Sequence, residues 1–374
     1  MKPPHFLVVL GALLVALFAV QRPAPQGDIF AAIPADQRVR FAQITEPELY
    51  AAKLAHGRAA PRYAVGLFGN SRALMVGARE LGPAGGRFFN YAVPGSSFRT
   101  SVALAEDLAR TGKLPRIVLI SLDHLEIQFD GNPNTRHIGG WLRRVWRDAV
   151  AAITLPDISL RAGLGVVWRH IYVGYGGVTR YFNTEQLVAG IRWRLSDNGV
   201  RAWWSETVRE SGSGYRRDGS RAAAKPANPA TSGKPRALRP LPRAAPAVLI
   251  GYLREDLRRL AVLKRRGVRI IVYESPLHAA SLERATHRPA PHAATMRDVF
   301  LRACVRLRLE CHDHRTATVV AAAKGWRDAT HPPAEALAAY LSDLIARAPV
   351  KVRNDGAGRQ RTEQRGARAA GTAR

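Results

Sequence analysis

Tyr63-Ala-Val-Gly-Leu-Phe-Gly-Asn-Ser-Arg72 is the stretch whose reading decides the fold. Tyr63 to Phe68 is a short, mostly apolar run that ends in turn residues, the pattern of a strand buried on both faces. Gly69 and Asn70 turn the chain. Ser71 then opens a helix-like run, Arg72 to Glu80. A serine on a sharp strand-to-helix turn stands at the C-terminal edge of a sheet. There the N–H groups of a helix start, and the helix dipole, favour negative charge. The nucleophile elbow follows the same logic. The alternative is a plain N-cap, because serine caps helices well.

Downstream, the same grammar repeats. Phe88 to Tyr91 reads as a short strand, and Pro94-Gly-Ser96 after it as a tight turn. Phe98 to Thr111 has helical periodicity, with Val102, Leu104, Ala105 and Leu108 as its apolar set. Arg116 to Leu122 is apolar on both faces, as in a central parallel strand. The pattern resumes with a helix over Leu249–Arg266, a strand over Val268–Tyr273, a helix over Ala294–Arg308, a short strand over Leu309–His312 and a closing helix over Ala334–Ala348. Alternation of this kind predicts an α/β fold, a flavodoxin-like three-layer arrangement with helices on both faces of a parallel sheet.

The two halves of this framework, 28–129 and 247–349, are separated by an insertion over 130–246, far longer than an ordinary α/β connection. Its first part is rich in tryptophan and arginine and reads as helical: a lid, a surface beside a membrane, or a subdomain that packs its own aromatics. Residues 211–246 are dominated by Gly, Ser, Pro, Ala and Arg and read as a disordered basic loop, and 350–374 as a similar tail. Residues 28–60 contain the helical pattern Pro47–Leu54 and read as a lead-in to the domain.

The formal net charge is +28 over 374 residues. About 12 of those charges fall in 211–246 and 351–374, where they specify no fold. Neither a zinc-finger spacing nor an RNA-binding aromatic signature is present, so the charge does not point to nucleic acid. Lys2 followed by the apolar run Phe6–Val20 has the n-region and h-region of an export signal. No good small-x-small cleavage site follows it, so residues 1–27 read as an uncleaved signal anchor, with the rest of the chain outside the cytoplasmic membrane; cleavage after a poor site is the alternative. The two cysteines, Cys304 and Cys311, either pair in an exported domain or remain buried thiols.

A serine nucleophile needs a base, and imidazole can take its proton near neutral pH while a carboxylate fixes the imidazole tautomer. Gly325-Trp-Arg-Asp-Ala-Thr-His331, just before the last helix, offers Asp328 and His331 from one loop. Arg72, beside the serine, either holds an anionic substrate group or is a solvated helix-start residue. His278, after a strand end, either lines the pocket or is a loop histidine. The segment Cys311-His-Asp-His314 lacks an evident third ligand, and no metal or cofactor is expected.

At Gly69-Asn-Ser71, Asn90-Tyr-Ala-Val-Pro-Gly95 and Asp328-Ala-Thr-His331 the chain resembles the first, second and last blocks of the SGNH (GDSL-like) hydrolases. With its N-terminal anchor it is similar to bacterial envelope proteins of polysaccharide O-acetylation and teichoic-acid D-alanylation. The resemblance covers about 60–125 and 247–348. It implies Ser71 as nucleophile, His331 as base, Asp328 as its orienter, and an oxyanion hole from the N–H groups of Ser71 and Gly95. The family's third block supplies an asparagine donor. Here Ser121-Leu-Asp-His124 puts Asp123 in that place, leaving His124, Asn132 or Asn134 as substitutes. Asn70, Arg72, His124 and His278 are the residues expected to face substrate. The implied activity is hydrolysis or transfer of an acyl group, acetyl above all, on an envelope or exported polysaccharide, with a membrane-bound O-acyltransferase as partner. The alternative is an inactive scaffold or glycan-binding partner of such an acyltransferase.

Overall fold

The computed structural model describes residues 28–41, 44, 46–122, 204–208, 214–222, 245–279, 291–327 and 331–347. In chain order the elements are β1 (Arg38–Phe41), α1 (Glu46–Ala59), β2 (Val65–Phe68), α2 (Ala78–Leu81), β3 (Phe88–Asn90), α3 (Phe98–Arg110) and β4 (Ile117–Leu122). They continue with β5 (Trp204–Val208), β6 (Gly214–Tyr215), β7 (Arg221–Ala222), α4 (Ala245–Lys264), β8 (Arg269–Glu274), α5 (Pro291–Leu307), β9 (Glu310–His312), α6 (Thr318–Ala321) and α7 (Ala334–Ala346).

Five strands form one parallel sheet in the order β3-β2-β4-β8-β9. Within that sheet the chain order is 2-1-3-4-5, the doubly wound arrangement that opens a crevice beyond the C-terminal ends of β2 and β4. Right-handed crossovers put α3, α4 and α5 on one face and α2 on the other, where α7 returns to pack against it. β2 and β4 are buried through almost their whole length, as apolar runs enclosed on both faces must be. Arg99 of α3 reaches both carboxylate oxygens of Asp256 on α4 at 3.1 Å, so the helices on that face are also tied by a buried ion pair.

The observed framework matches the expected elements to within a few residues, with four differences. The Trp-rich part of the insertion, expected to be helical, is a strand, β5, where it is described. Residues 28–60 are more than a lead-in. β1 pairs antiparallel with β5, Arg38 opposite Val208, and with β6, Val39 opposite Tyr215. The expected disorder over 211–246 does not hold at 214–222, which form the β6–β7 hairpin and complete a second, antiparallel sheet in the order β5-β1-β6-β7. The helix expected from Ser71 to Glu80 is instead a single turn over 71–75, and α2 forms only at Ala78. A side chain at Gly77 would sit within 2.8 Å of Asp218, Ser220 and Arg216, so the hairpin occupies the space a continuous helix would need.

Cys304 and Cys311 form a disulfide that joins α5 to β9. Among the described residues no helix is long and apolar enough to cross a membrane, and the run Phe6–Val20 lies outside them. Most of the insertion, from Asp123 to Trp203, and the tail beyond Arg347 also lie outside them.

Candidate active site

Ser71 follows β2 at the switch point of the sheet, and its surroundings are built by close backbone approach. At Gly69 a Cβ would lie 2.8 Å from Cβ of Ser121 and 3.0 Å from Cβ of Ala73, so only glycine lets the turn pass the end of β4. The Asn70 carbonyl accepts the N–H groups of Ala73 and Leu74, and Asn70 Oδ1 accepts the N–H of Arg72 at 3.1 Å. Capping therefore falls to Asn70, which leaves the Ser71 hydroxyl to other uses. Ser71 Oγ lies 2.9 Å from Nε2 of His331, a residue 260 positions away. Both side chains are half-buried.

His331 stands on the loop before α7. The Arg327 N–H donates to the His331 carbonyl, and the buried Trp326 anchors the loop by donating its indole N–H to the Val320 carbonyl at 3.2 Å. The His278 ring meets Trp326 edge-on with centroids 5.5 Å apart, which brings that sequence-predicted residue to the loop of His331. Arg72 is half-buried on the turn of Ser71. Asp328, Asp123, His124, Asn132 and Asn134 lie outside the described residues.

Gly95 sits on the turn after β3 with φ of 71°, a conformation that glycine adopts at no steric cost. That turn is fastened to the serine turn. The Gly69 carbonyl accepts both the N–H of Val93 at 2.9 Å and the hydroxyl of Ser96 at 3.0 Å. Two residues to which the sequence reading assigned no role strengthen the join. Asn90, fully buried, donates through Nδ2 to the carbonyls of Ala73 (2.9 Å), Leu74 (3.3 Å) and Val76 (2.7 Å). Its Oδ1 accepts the N–H of Ala92 at 2.8 Å. One side chain thus fixes both the serine turn and the start of the Gly95 turn.

Lys53, on α1, is also fully buried. Its ammonium donates to the carbonyls of Asn90 (2.7 Å), Ala92 (2.6 Å) and Gly219 (2.8 Å). Burial pulls its pKa well below the ordinary 10.5, with only the charge of Asp218 acting against it. The hairpin adds further bonds. The Arg221 N–H donates to the Leu74 carbonyl, the Asn90 N–H to the Asp218 carbonyl, and the Ala78 N–H to Asp218 Oδ2. A lysine within a helical pattern reads in sequence as a solvated residue. Its partners are backbone carbonyls, which leave no residue-type signal in the sequence.

Beneath the site Ser121 and Ser275 share a buried hydrogen bond of 2.7 Å between β4 and β8. Beyond it, Glu274 accepts two bonds from Arg297, at 3.1 and 2.9 Å, and one from Nδ1 of His314 at 3.0 Å. Burial raises the Glu274 pKa, but the bonds from His314 and Arg297 overcome it and hold the carboxyl down at about 2. His312 and His314 do not share one side of a strand, because β9 ends at His312 and His314 begins a 3-10 turn. Cys311 is taken by the disulfide, and no group of three possible metal ligands occurs among the described residues. No family model, no curated protein and no solved structure matches the chain.

Proposed function

We propose that the protein is a serine-dependent acyl ester hydrolase or O-acyltransferase. The observation that carries this is the 2.9 Å approach of Ser71 Oγ to His331 Nε2 at the switch point of a parallel sheet. A hydroxyl and an imidazole at that distance are set for proton transfer. Ser71 attacks the ester carbonyl while His331 Nε2 takes its proton. The tetrahedral intermediate collapses, the alcohol leaves with the proton returned by His331, and the acyl group stays on Ser71. Water or a sugar hydroxyl then attacks the acyl-enzyme, with His331 again as base. Asp328, three residues before His331 in sequence, has the role of holding the imidazole tautomer. The N–H groups of Ser71 and Gly95 take the oxyanion, and the bonds that lock the two turns together support a preorganised hole.

The proposed substrate is an acyl ester, acetyl above all, on an envelope or exported polysaccharide, with a membrane-bound O-acyltransferase as partner. In this reading the fold is of the SGNH type, residues 1–27 anchor the chain in the cytoplasmic membrane, and the domain faces outward. The Cys304–Cys311 disulfide supports an oxidising compartment. Asp123 supports a second reading, an inactive scaffold or glycan-binding partner, because an ionised carboxylate cannot donate to an oxyanion. Turnover of p-nitrophenyl acetate separates the two. The proposal expects activity that Ser71→Ala and His331→Ala each remove. Acetate release that survives Ser71→Ala contradicts it, and glycan binding without any turnover supports the second reading.

A further inference from the structure

The connections that enter the strands, at the edge of the parallel sheet opposite Ser71, carry charge of one sign. Each of the five strands is entered through a short connection: 60–64 before β2, 82–87 before β3, 111–116 before β4, 265–268 before β8 and 308–309 before β9. None contains an aspartate or glutamate, and each contains at least one arginine. In strand order across the sheet these are Arg87, Arg62, Arg116, Arg265 with Arg266, and Arg308, all exposed. Neighbouring strands lie about 4.8 Å apart, so the row spans roughly 20 Å. It is held in place by its own backbone contacts. Arg62 donates to the Leu114 carbonyl, Arg87 to the Pro61 carbonyl and Arg266 to the Ala109 carbonyl. Like charges are thereby gathered along one edge, an arrangement that costs folding energy in water and is relieved by an anionic surface.

The position of Asp28 says which surface. Both Asp28 oxygens lie within 2.8 Å of His56 Nδ1, and His56 Nε2 lies 2.6 Å from the hydroxyl of Tyr63, next to Arg62 in the chain and under the guanidinium of Arg87. The chain therefore meets the domain at the arginine edge. In sequence only residues 21–27 separate Asp28 from the apolar run Phe6–Val20, a span of at most about 25 Å.

We propose that this edge rests on an anionic phospholipid surface. Ser71 and His331 stand on the far side of the sheet, about 20 Å away for strands of up to six residues. The inference rests on the reading of residues 1–27 as a membrane anchor and is independent of the chemistry of Ser71, since an inactive protein would sit on the surface in the same way.

The test uses the full chain with vesicles of phosphatidylcholine alone or mixed with phosphatidylglycerol, each carrying a headgroup nitroxide. A fluorophore is placed at the arginine edge through Thr111→Cys, or at the opposite edge through Lys324→Cys. The expected result is strong quenching of the Thr111 position and little of the Lys324 position in the mixed vesicles. That gap closes in phosphatidylcholine alone and at high salt. Arg265→Gln with Arg266→Gln lowers the ratio of touching to non-touching protein on the order of 30-fold, at about 1 kcal/mol per charge. Circular dichroism checks that both variants fold, and Arg87→Gln with Arg116→Gln supplies an independent pair. Equal quenching at the two positions, or a gap that neither pair changes, overturns the proposal. So does a gap absent on lipid while a soluble sulfated polysaccharide shields the Thr111 position, which would assign the edge to a polysaccharide.

Discussion

Replacing Asn90 by alanine tests whether the serine turn and the Gly95 turn are held as one unit. Asn90 Nδ2 serves three carbonyls and Oδ1 serves one N–H, all of them buried. After the substitution the Ala73 carbonyl keeps the N–H of Val76, and the Leu74 carbonyl keeps the N–H of Arg221. The Val76 carbonyl and the Ala92 N–H lose the partner that Asn90 gave them. A buried polar group left unpaired costs about 1–3 kcal/mol. Two such groups and a small cavity give a loss of about 3–5 kcal/mol. That is a large share of a typical domain's 5–15 kcal/mol. A shift of about 1 Å in the serine turn would lower turnover by roughly 10²-fold. The assay pairs urea unfolding followed by tryptophan fluorescence with the rate of fluorophosphonate labelling at Ser71. A variant within 1 kcal/mol of wild type, labelled at the wild-type rate, would refute the reasoning.

The Glu274 carboxyl, held at about 2 against an ordinary 4.5, contributes stability that is present above pH 4.5 and is lost as pH falls toward 2. The loss should be about 3 kcal/mol, read from unfolding midpoints against pH, and Glu274→Gln should flatten that part of the profile. Gly69→Ala pushes a rigid Cβ against Ser121 and Ala73, so activity should fall at least roughly tenfold and stability by about 1–3 kcal/mol. Unchanged kcat in a folded variant would show that the turn has room to spare. Cys304→Ala with Cys311→Ala should cost about 2–3 kcal/mol by loop-closure entropy without changing kcat, because the bridge joins α5 to β9 away from Ser71.

Apolar runs and periodicity made the parallel framework legible, because strands enclosed on two faces and helices packed on one leave strong patterns. Gly69, Ser71 and His331 could be paired because each falls at a strand or helix end on the same sheet edge. The second sheet was not legible. Its strands are short, carry arginine at Arg38, Arg40 and Arg221, and gain their order from partners far away in sequence. The hairpin at 214–222 has the composition of a disordered loop. It is fixed instead by Lys53, Leu74, Ala78 and Asn90, contacts that composition cannot show. The helix start at Ser71 was overestimated because Gly77 reads as a tolerated helix glycine, whereas it marks where the hairpin crosses.

The central claim is that Ser71 is a nucleophile activated by His331, and the direct measurement is the covalent adduct. The full chain, treated with a fluorophosphonate and separately with p-nitrophenyl acetate, is digested and sequenced by mass spectrometry. The account predicts one adduct, on the peptide that carries Ser71, absent from Ser71→Ala and strongly slowed in His331→Ala. An adduct on another residue, or equal labelling of Ser71→Ala and wild type, would contradict it.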